Sequence, residues 1–169
     1  MAEPSRQGVT AGIAPRIPAA WVRPGRVIRG LAGMSESAML AVLMGAMLVF
    51  LIAQMPVHAR AAHLAPEIPF AGRMAGATVA VLFMMPLIAY LVAALSAVVL
   101  RLFGLRVSAA DARLALFWAL LAVSPAMLLA GLVAGFIGPG VALGIVQAIS
   151  GVGFLWIWGA GLRALAVRR

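Results

Sequence analysis

The stretch Ser108–Gly140, SAADARLALFWALLAVSPAMLLAGLVAGFIGPG, decides the fold. From Leu114 to Phe136 it contains no Asp, Glu, Lys, Arg or His. Crossing a hydrocarbon core of about 30 Å takes roughly 20 predominantly apolar residues in a helix, so the run reads as one membrane span. Ser108 followed by Asp111 has the spacing of a capping box and marks the start of the helix. Gly138-Pro139-Gly140 makes a tight turn at its far end, which predicts that the next apolar run returns antiparallel.

Outward from this stretch the same character recurs. Spans are predicted over 36–55, 74–100, 114–136 and 141–162. The chain of 169 residues is 65% hydrophobic and 10% charged, with a mean hydropathy of +1.13. A globular domain is roughly 45–50% apolar and about 25% charged, and a disordered chain is poorer still in apolar residues. The expected fold class is all-α: a polytopic helical bundle with four transmembrane helices. It divides into a basic tail (1–35), a four-span membrane domain (36–162) and a second basic tail (163–169). The first tail is too short and too rich in Pro, Gly and Arg for a soluble domain. No continuous apolar stretch precedes residue 38, so a cleavable signal peptide is not expected. Pro56 is expected to stop the first span, with Pro66 and Pro69 punctuating the loop beyond it.

The formal charge of +9 has a topological reading. Arg6, Arg16, Arg23, Arg26 and Arg29 precede the first span, Arg101, Arg106 and Arg113 separate the second from the third, and Arg163, Arg168 and Arg169 follow the fourth. Only Arg60 and Arg73 fall on the other side. The positive-inside rule therefore places both termini in the cytoplasm. Trp21, Trp118, Trp156 and Trp158 fall near the same side, where amphipathic rings settle at the interface. Anionic lipid headgroups are the expected partners of these arginines. Because they flank spans and form no single stripe, nucleic acid is not an expected partner.

Lipid tails are as apolar as Leu, so helices associate where small residues permit close approach. Ala112, Ala115, Ala119, Ala122, Ala126, Ala130 and Ala134 hold one face of the third span. Gly131 and Gly135 add a GxxxG pair beside it. Gly140, Gly144, Ala148 and Gly151 form a small face on the fourth span, and Ala89, Ala93 and Ala97 one on the second. Spans three and four are expected to form a close hairpin; homodimerisation is the rival use of the GxxxG pair.

The spans lack chemistry. Ion-coupled transport, voltage sensing and intramembrane proteolysis draw on ionisable groups at depth, and the predicted spans offer Gln54, Thr78, Tyr90, Ser96, Ser124, Gln147 and Ser150 instead. A Ser124 or Ser150 nucleophile needs a base within hydrogen-bond reach, and no span supplies one. These groups are expected to bond helix to helix, with Gln147 foremost. Pro86 and Pro125 read as kinks whose freed carbonyls are met by a neighbour or by Ser124. The alternative is a pair of breaks that expose backbone to a solute. Cys is absent, which excludes disulfides, zinc–thiolate sites and thiol nucleophiles. His58, His63 and Glu67 are spaced poorly for a metal site and read as solvated loop residues. No catalytic, cofactor-binding or metal-ligating residue is assigned, and no cofactor is expected. The tail with Trp21, Val27, Ile28 and Leu31 among Arg23, Arg26 and Arg29 suits the membrane interface. Lys and Asn are missing too, and with the excess of Ala, Gly and Arg this points to a GC-rich bacterial genome.

Arg113-Leu114-Ala115-Leu116-Phe117-Trp118-Ala119-Leu120, Ser124-Pro125 and Leu132-Val133-Ala134-Gly135-Phe136-Ile137-Gly138-Pro139-Gly140 form one pattern. With Phe154-Leu155-Trp156-Ile157-Trp158 and Gly161-Leu162-Arg163 it resembles the bacterial, especially alphaproteobacterial, branch of the YIP family. The likeness is strongest over the last third of the chain. It implies a polytopic membrane protein without catalytic activity. Eukaryotic members of that family interact with Ypt/Rab GTPases, carry an acidic segment with an Asp-Leu-Tyr-Gly-Pro motif, and typically have five spans. This chain has no such string and four predicted spans, so a GTPase partner is not carried over. The expectation is a non-catalytic, multi-pass inner-membrane protein working by helix packing and association with itself or other membrane proteins, in membrane organisation or complex assembly. The alternative is a small oligomeric transporter or channel for a neutral or apolar solute around Pro86, Pro125 and Gln147.

Overall fold

The computed structural model describes residues 12–168, so Arg6 and Arg169 of the two basic tails lie outside the described residues. Two short helices come first, α1 (Ile13–Val22) and α2 (Pro24–Arg29). The first long helix is α3 (Glu36–Leu64). The second is continuous from Phe70 to Leu102 and consists of α4 (Phe70–Val79), a π-helical turn (Ala80–Met84) and α5 (Met85–Leu102). Then follow α6 (Ala109–Phe136) and α7 (Val141–Leu165). These four long helices are each long and apolar enough to cross a membrane. The chain is an all-α multi-pass membrane protein.

The helix starts follow from local chemistry. Ser35 caps α3, its Oγ accepting from the Ala38 amide at 3.3 Å. Ser108 caps α6: its Oγ accepts from the Asp111 amide at 3.0 Å and donates to Asp111 Oδ2 at 2.6 Å. Each cap satisfies an amide that the first turn leaves without a helical partner. Glu36 and Arg113 form an ion pair that ties these two helix starts together. Gly138, with φ of 95°, makes the left-handed turn that a side chain would resist, and α7 returns beside α6.

α6 is the hub. Ala112, Ala115, Ala119 and Ala122 are fully buried, and so, on its other faces, are Leu114, Leu116, Phe117 and Trp118. A helix apolar and buried on several sides is a central one, and α3, α5 and α7 all pack on it. Ala89, Ala93 and Ala97 of α5 are buried, as their spacing predicts. Tyr90 meets Phe117 edge to face, with ring centroids 5.1 Å apart.

Spans three and four form the expected hairpin, α7 packing on α6. Three expectations are corrected. First, the GxxxG pair does not serve that hairpin, because the larger seam of α6 is with α3. The GxxxG pair serves that seam: a Cβ on Gly131 would stand 1.8 Å from the Ala53 carbonyl oxygen, and one on Gly135 would stand 2.3 Å from Pro56 Cβ. Second, Pro56 does not end the span; α3 runs on to Leu64. Proline costs a helix one hydrogen bond and a steric clash, but in a bundle the distortion is tolerated where a neighbour accommodates it, and here Gly135 leaves room for the ring. The extension carries Arg60 to the end of α6, where its guanidinium donates to the Gly135 carbonyl at 3.3 Å. A cation at a helix C-terminus meets the negative end of the dipole. Third, Trp118 is not at an interface: it is fully buried in the core, and its Nε1 has no partner among the described residues.

Pro86 lies two residues beyond the π-helical turn, in the first turn of α5. A wider turn takes up one extra residue where the regular ladder is interrupted, so the second span stays one continuous helix. With Ala77 before the turn, Val81 within it and Ala89, Ala93 and Ala97 after it, the buried positions still fall toward the bundle.

Candidate functional site

Three places in the bundle combine polar groups with space. The first is the break at Pro125. Proline has no amide hydrogen, so the Leu121 carbonyl loses its partner four residues on. Ser124 Oγ donates to that carbonyl at 2.8 Å. One residue further, the Ala122 carbonyl accepts a hydrogen bond from Trp21 Nε1 at 2.9 Å. Trp21 belongs to α1, so the N-terminal helix is docked on the bundle by an indole set into the proline break. Its ring lies on Gly153 of α7, where a Cβ would come within 2.3 Å of it. Trp156 Nε1 in turn donates to the Trp21 carbonyl at 3.3 Å. The chain turns at Pro24, and α2 continues along α7 until Ile28 fills the notch at Gly161. Ala20, Ile28 and Leu31 are buried in the core, while Arg23, Arg26 and Arg29 are exposed.

The second place is a cavity of about 260 Å³ between α3, the second span, α6 and α7. Gln54 and Gln147 supply its amides, among Met85, Met127, Ala130 and Gly131. Neither Pro86 nor Pro125 belongs to its lining. Gln147 is exposed and its side-chain amide makes no hydrogen bond among the described residues, so the role of interhelical glue expected of it is not realised. The serines also differ from expectation. Ser96, Ser124 and Ser150 bond carbonyls of their own helices, those of Val92, Leu121 and Val146, rather than a neighbouring helix. The carbonyl one turn back is the acceptor that a helical serine reaches without a partner from another helix.

The third place is the end of the bundle that carries most of the arginines. There β1 (Leu105–Arg106) pairs antiparallel with β2 (Val167–Arg168), joining the α5–α6 loop to the C-terminal segment. Gly104, with φ of 75°, allows the chain to turn out of α5 into this ribbon. Beneath it opens a cavity of about 700 Å³, lined by Arg101, Arg106, Ser108 and Asp111 with Leu165 and Val167. Nothing in the alternation of so short a pair announces a ribbon; the glycine after Phe103 was the one legible hint.

His58 and His63 lie on the last turns of α3, not in a loop, because the helix continues past Pro56. Among the described residues no three His, Cys, Asp or Glu side chains are grouped to hold a metal ion. The glycines of the α7 small face are not packed: among the described residues, a Cβ on Gly144 or Gly151 meets nothing within 4 Å. α7 instead packs inward through Ser150, Gly153, Ile157 and Gly161. The four long helices and these sites define a multi-pass membrane protein. Comparison with known protein families, curated proteins and solved structures finds no match.

Proposed function

We propose that the chain is a non-catalytic multi-pass protein of the bacterial inner membrane, of the YIP type, that acts by helix-mediated association in membrane organisation or complex assembly. Both termini are placed on the cytoplasmic side, as the arginine distribution supports. One observation carries the reading. The small face of α7 is paved with Gly144, Ala148 and Gly151, all exposed, and among the described residues no atom lies within 4 Å of a Cβ at its glycines. In lipid a second helix gains closely packed contact at such a face, whereas acyl chains fill it less well. The partner is a second copy of the chain or another membrane protein. The prediction is specific to this face. Gly144→Leu with Ala148→Leu should convert the detergent-solubilised protein to monomer, or strip its crosslinked partners, while leaving thermal stability within about 0.5 kcal/mol, as substitutions at open positions do. Unchanged mass and unchanged crosslinks would refute it.

A second reading has its own support in the cavity shared by Gln54 and Gln147. A pair of amides in an otherwise apolar space suits passage of a neutral solute. Liposomes containing the protein would then show saturable flux that is abolished by Gln147→Leu. Flux equal to that of empty liposomes removes this reading.

A further inference from the structure

We infer that the bundle carries a built site for one anionic phospholipid, with the headgroup phosphate in the cavity of Arg101 and Arg106 and an acyl chain in the groove between α5 and α7. The headgroup half is the cavity under the β1–β2 ribbon. Arg60 and Arg73 are bonded to carbonyls, and Arg113 is paired with Glu36. The Arg101 and Arg106 side chains are exposed, and among the described residues their guanidinium groups make neither a hydrogen bond nor an ion pair. Two free guanidinium forks lining one cavity suit the several oxygens of a phosphate. Asp111 is the acidic side chain in the lining, and its carboxylate already accepts from Ser108 Oγ at 2.6 Å. The cavity therefore keeps an excess of positive charge.

The acyl half is an independent feature. α5 and α7 both pack on α6 but do not pack on each other. The cleft between them holds a groove of about 330 Å³ lined by Val92, Leu95, Ser96, Val99, Leu100, Trp158 and Leu162. Ser96 is bonded to its own helix, so the lining is effectively apolar. Leu100 adjoins Arg101 in sequence, and Leu162 lies one helical turn from Leu165, so the groove opens toward the headgroup cavity along both helices. A positive pocket at the helix ends above an apolar groove between the helices matches the two halves of an anionic phospholipid. A soluble phosphate ester would use the first half alone. The bilayer surface would use the exposed arginines without the groove.

The test uses the full chain in detergent, with retained lipid read by native mass spectrometry. Dioleoylphosphatidylglycerol should be retained as a single bound molecule, and dioleoylphosphatidylcholine should not. Arg101→Ala with Arg106→Ala, both at exposed positions, should weaken retention roughly thirtyfold, given about 1 kcal/mol for each arginine near a lipid phosphate. Ser96→Phe, which fills the groove, should weaken it comparably with the arginines intact. Glycerol 3-phosphate should fail to compete. Competition by glycerol 3-phosphate as strong as by the lipid would mark a soluble phosphate site and overturn the inference. Retention unchanged in the arginine variant, or unchanged in Ser96→Phe, would overturn it as well. Equal retention of the two lipids would show an annular lipid with no headgroup site.

Discussion

Gly131→Val should be the most damaging single substitution in the membrane core, costing about 3 kcal/mol or more. The first atom of any side chain at Gly131 would stand 1.8 Å from the Ala53 carbonyl oxygen and 2.7 Å from its carbon. Those are backbone atoms, so no rotamer change relieves the clash and α3 must move off α6. Four residues on, Gly135 stands in the same relation to Pro56, so the seam cannot pivot about its neighbour. Separating the helices would also draw Arg60 away from the carbonyls at the end of α6. Lipid does not compensate, because in a bilayer the gain of a helix seam is closely packed contact. Gly45, on the same helix as Ala53, supplies the control: a Cβ there meets nothing within 4 Å. Gly45→Ala should be neutral or stabilising by up to about 1 kcal/mol, since it only removes the cost of glycine in a helix. Unfolding in mixed micelles by titration with a denaturing detergent measures both. A Gly131→Val variant as stable as the parent would mean that α3 and α6 are not in backbone contact.

The contrast between these two glycines shows what was legible in the chain. Composition, the apolar runs and the caps at Ser108 and Gly138 report on local and solvent terms, which act residue by residue, so four spans and their ends could be read directly. Burial along Ala112–Ala122 and Ala89–Ala97 followed from helical spacing. The partner of each face did not, because a glycine stripe permits close approach without naming the helix that approaches. Gly131 and Gly135 therefore read as part of the hairpin with the fourth span, with a dimer as the rival, and belong to α3, while Gly144 and Gly151 read as a hairpin seam and meet no neighbour among the described residues. Pro56 was misleading for a related reason. Its cost is local, but the room that absorbs it is provided by Gly135, roughly eighty residues away in the chain. The serines show the converse: each bonds a carbonyl of its own helix, so none joins the helices its position borders. The arginine–groove site was out of reach of the sequence altogether, since it depends on a two-residue ribbon and on the gap between α5 and α7.

Loss of the Trp21 indole should release the N-terminal helix while leaving the four spans assembled. Two contacts of the Trp21 side chain hold α1 down, the Nε1 bond to the Ala122 carbonyl at 2.9 Å and the ring face on Gly153, beside the Trp156 bond to the Trp21 carbonyl. Trp21→Phe removes the first and keeps much of the second, so it should cost about 1 kcal/mol, the usual value of one hydrogen bond in a protein or a bilayer. Trp21→Ala removes both. A buried Trp truncated to Ala costs about 3–5 kcal/mol; this ring is only partly buried, so the lower end of that range applies. Gly153→Leu attacks the same joint from α7, because its Cβ would stand 2.3 Å from two atoms of the ring. The ring cannot swing clear without giving up the Ala122 carbonyl, which lies beside the proline break. The chain has no cysteine, so one introduced at Ala20 reports on the joint without interference. Ala20 is fully buried under α1, and Ala20→Cys should resist maleimide labelling when Trp21 and Gly153 are intact. Added to either Trp21→Ala or Gly153→Leu, the same cysteine should label at least tenfold faster, the rate corresponding to about 1.4 kcal/mol less protection. Equal labelling in all three backgrounds would mean that α1 is held by something other than the indole in the Pro125 break.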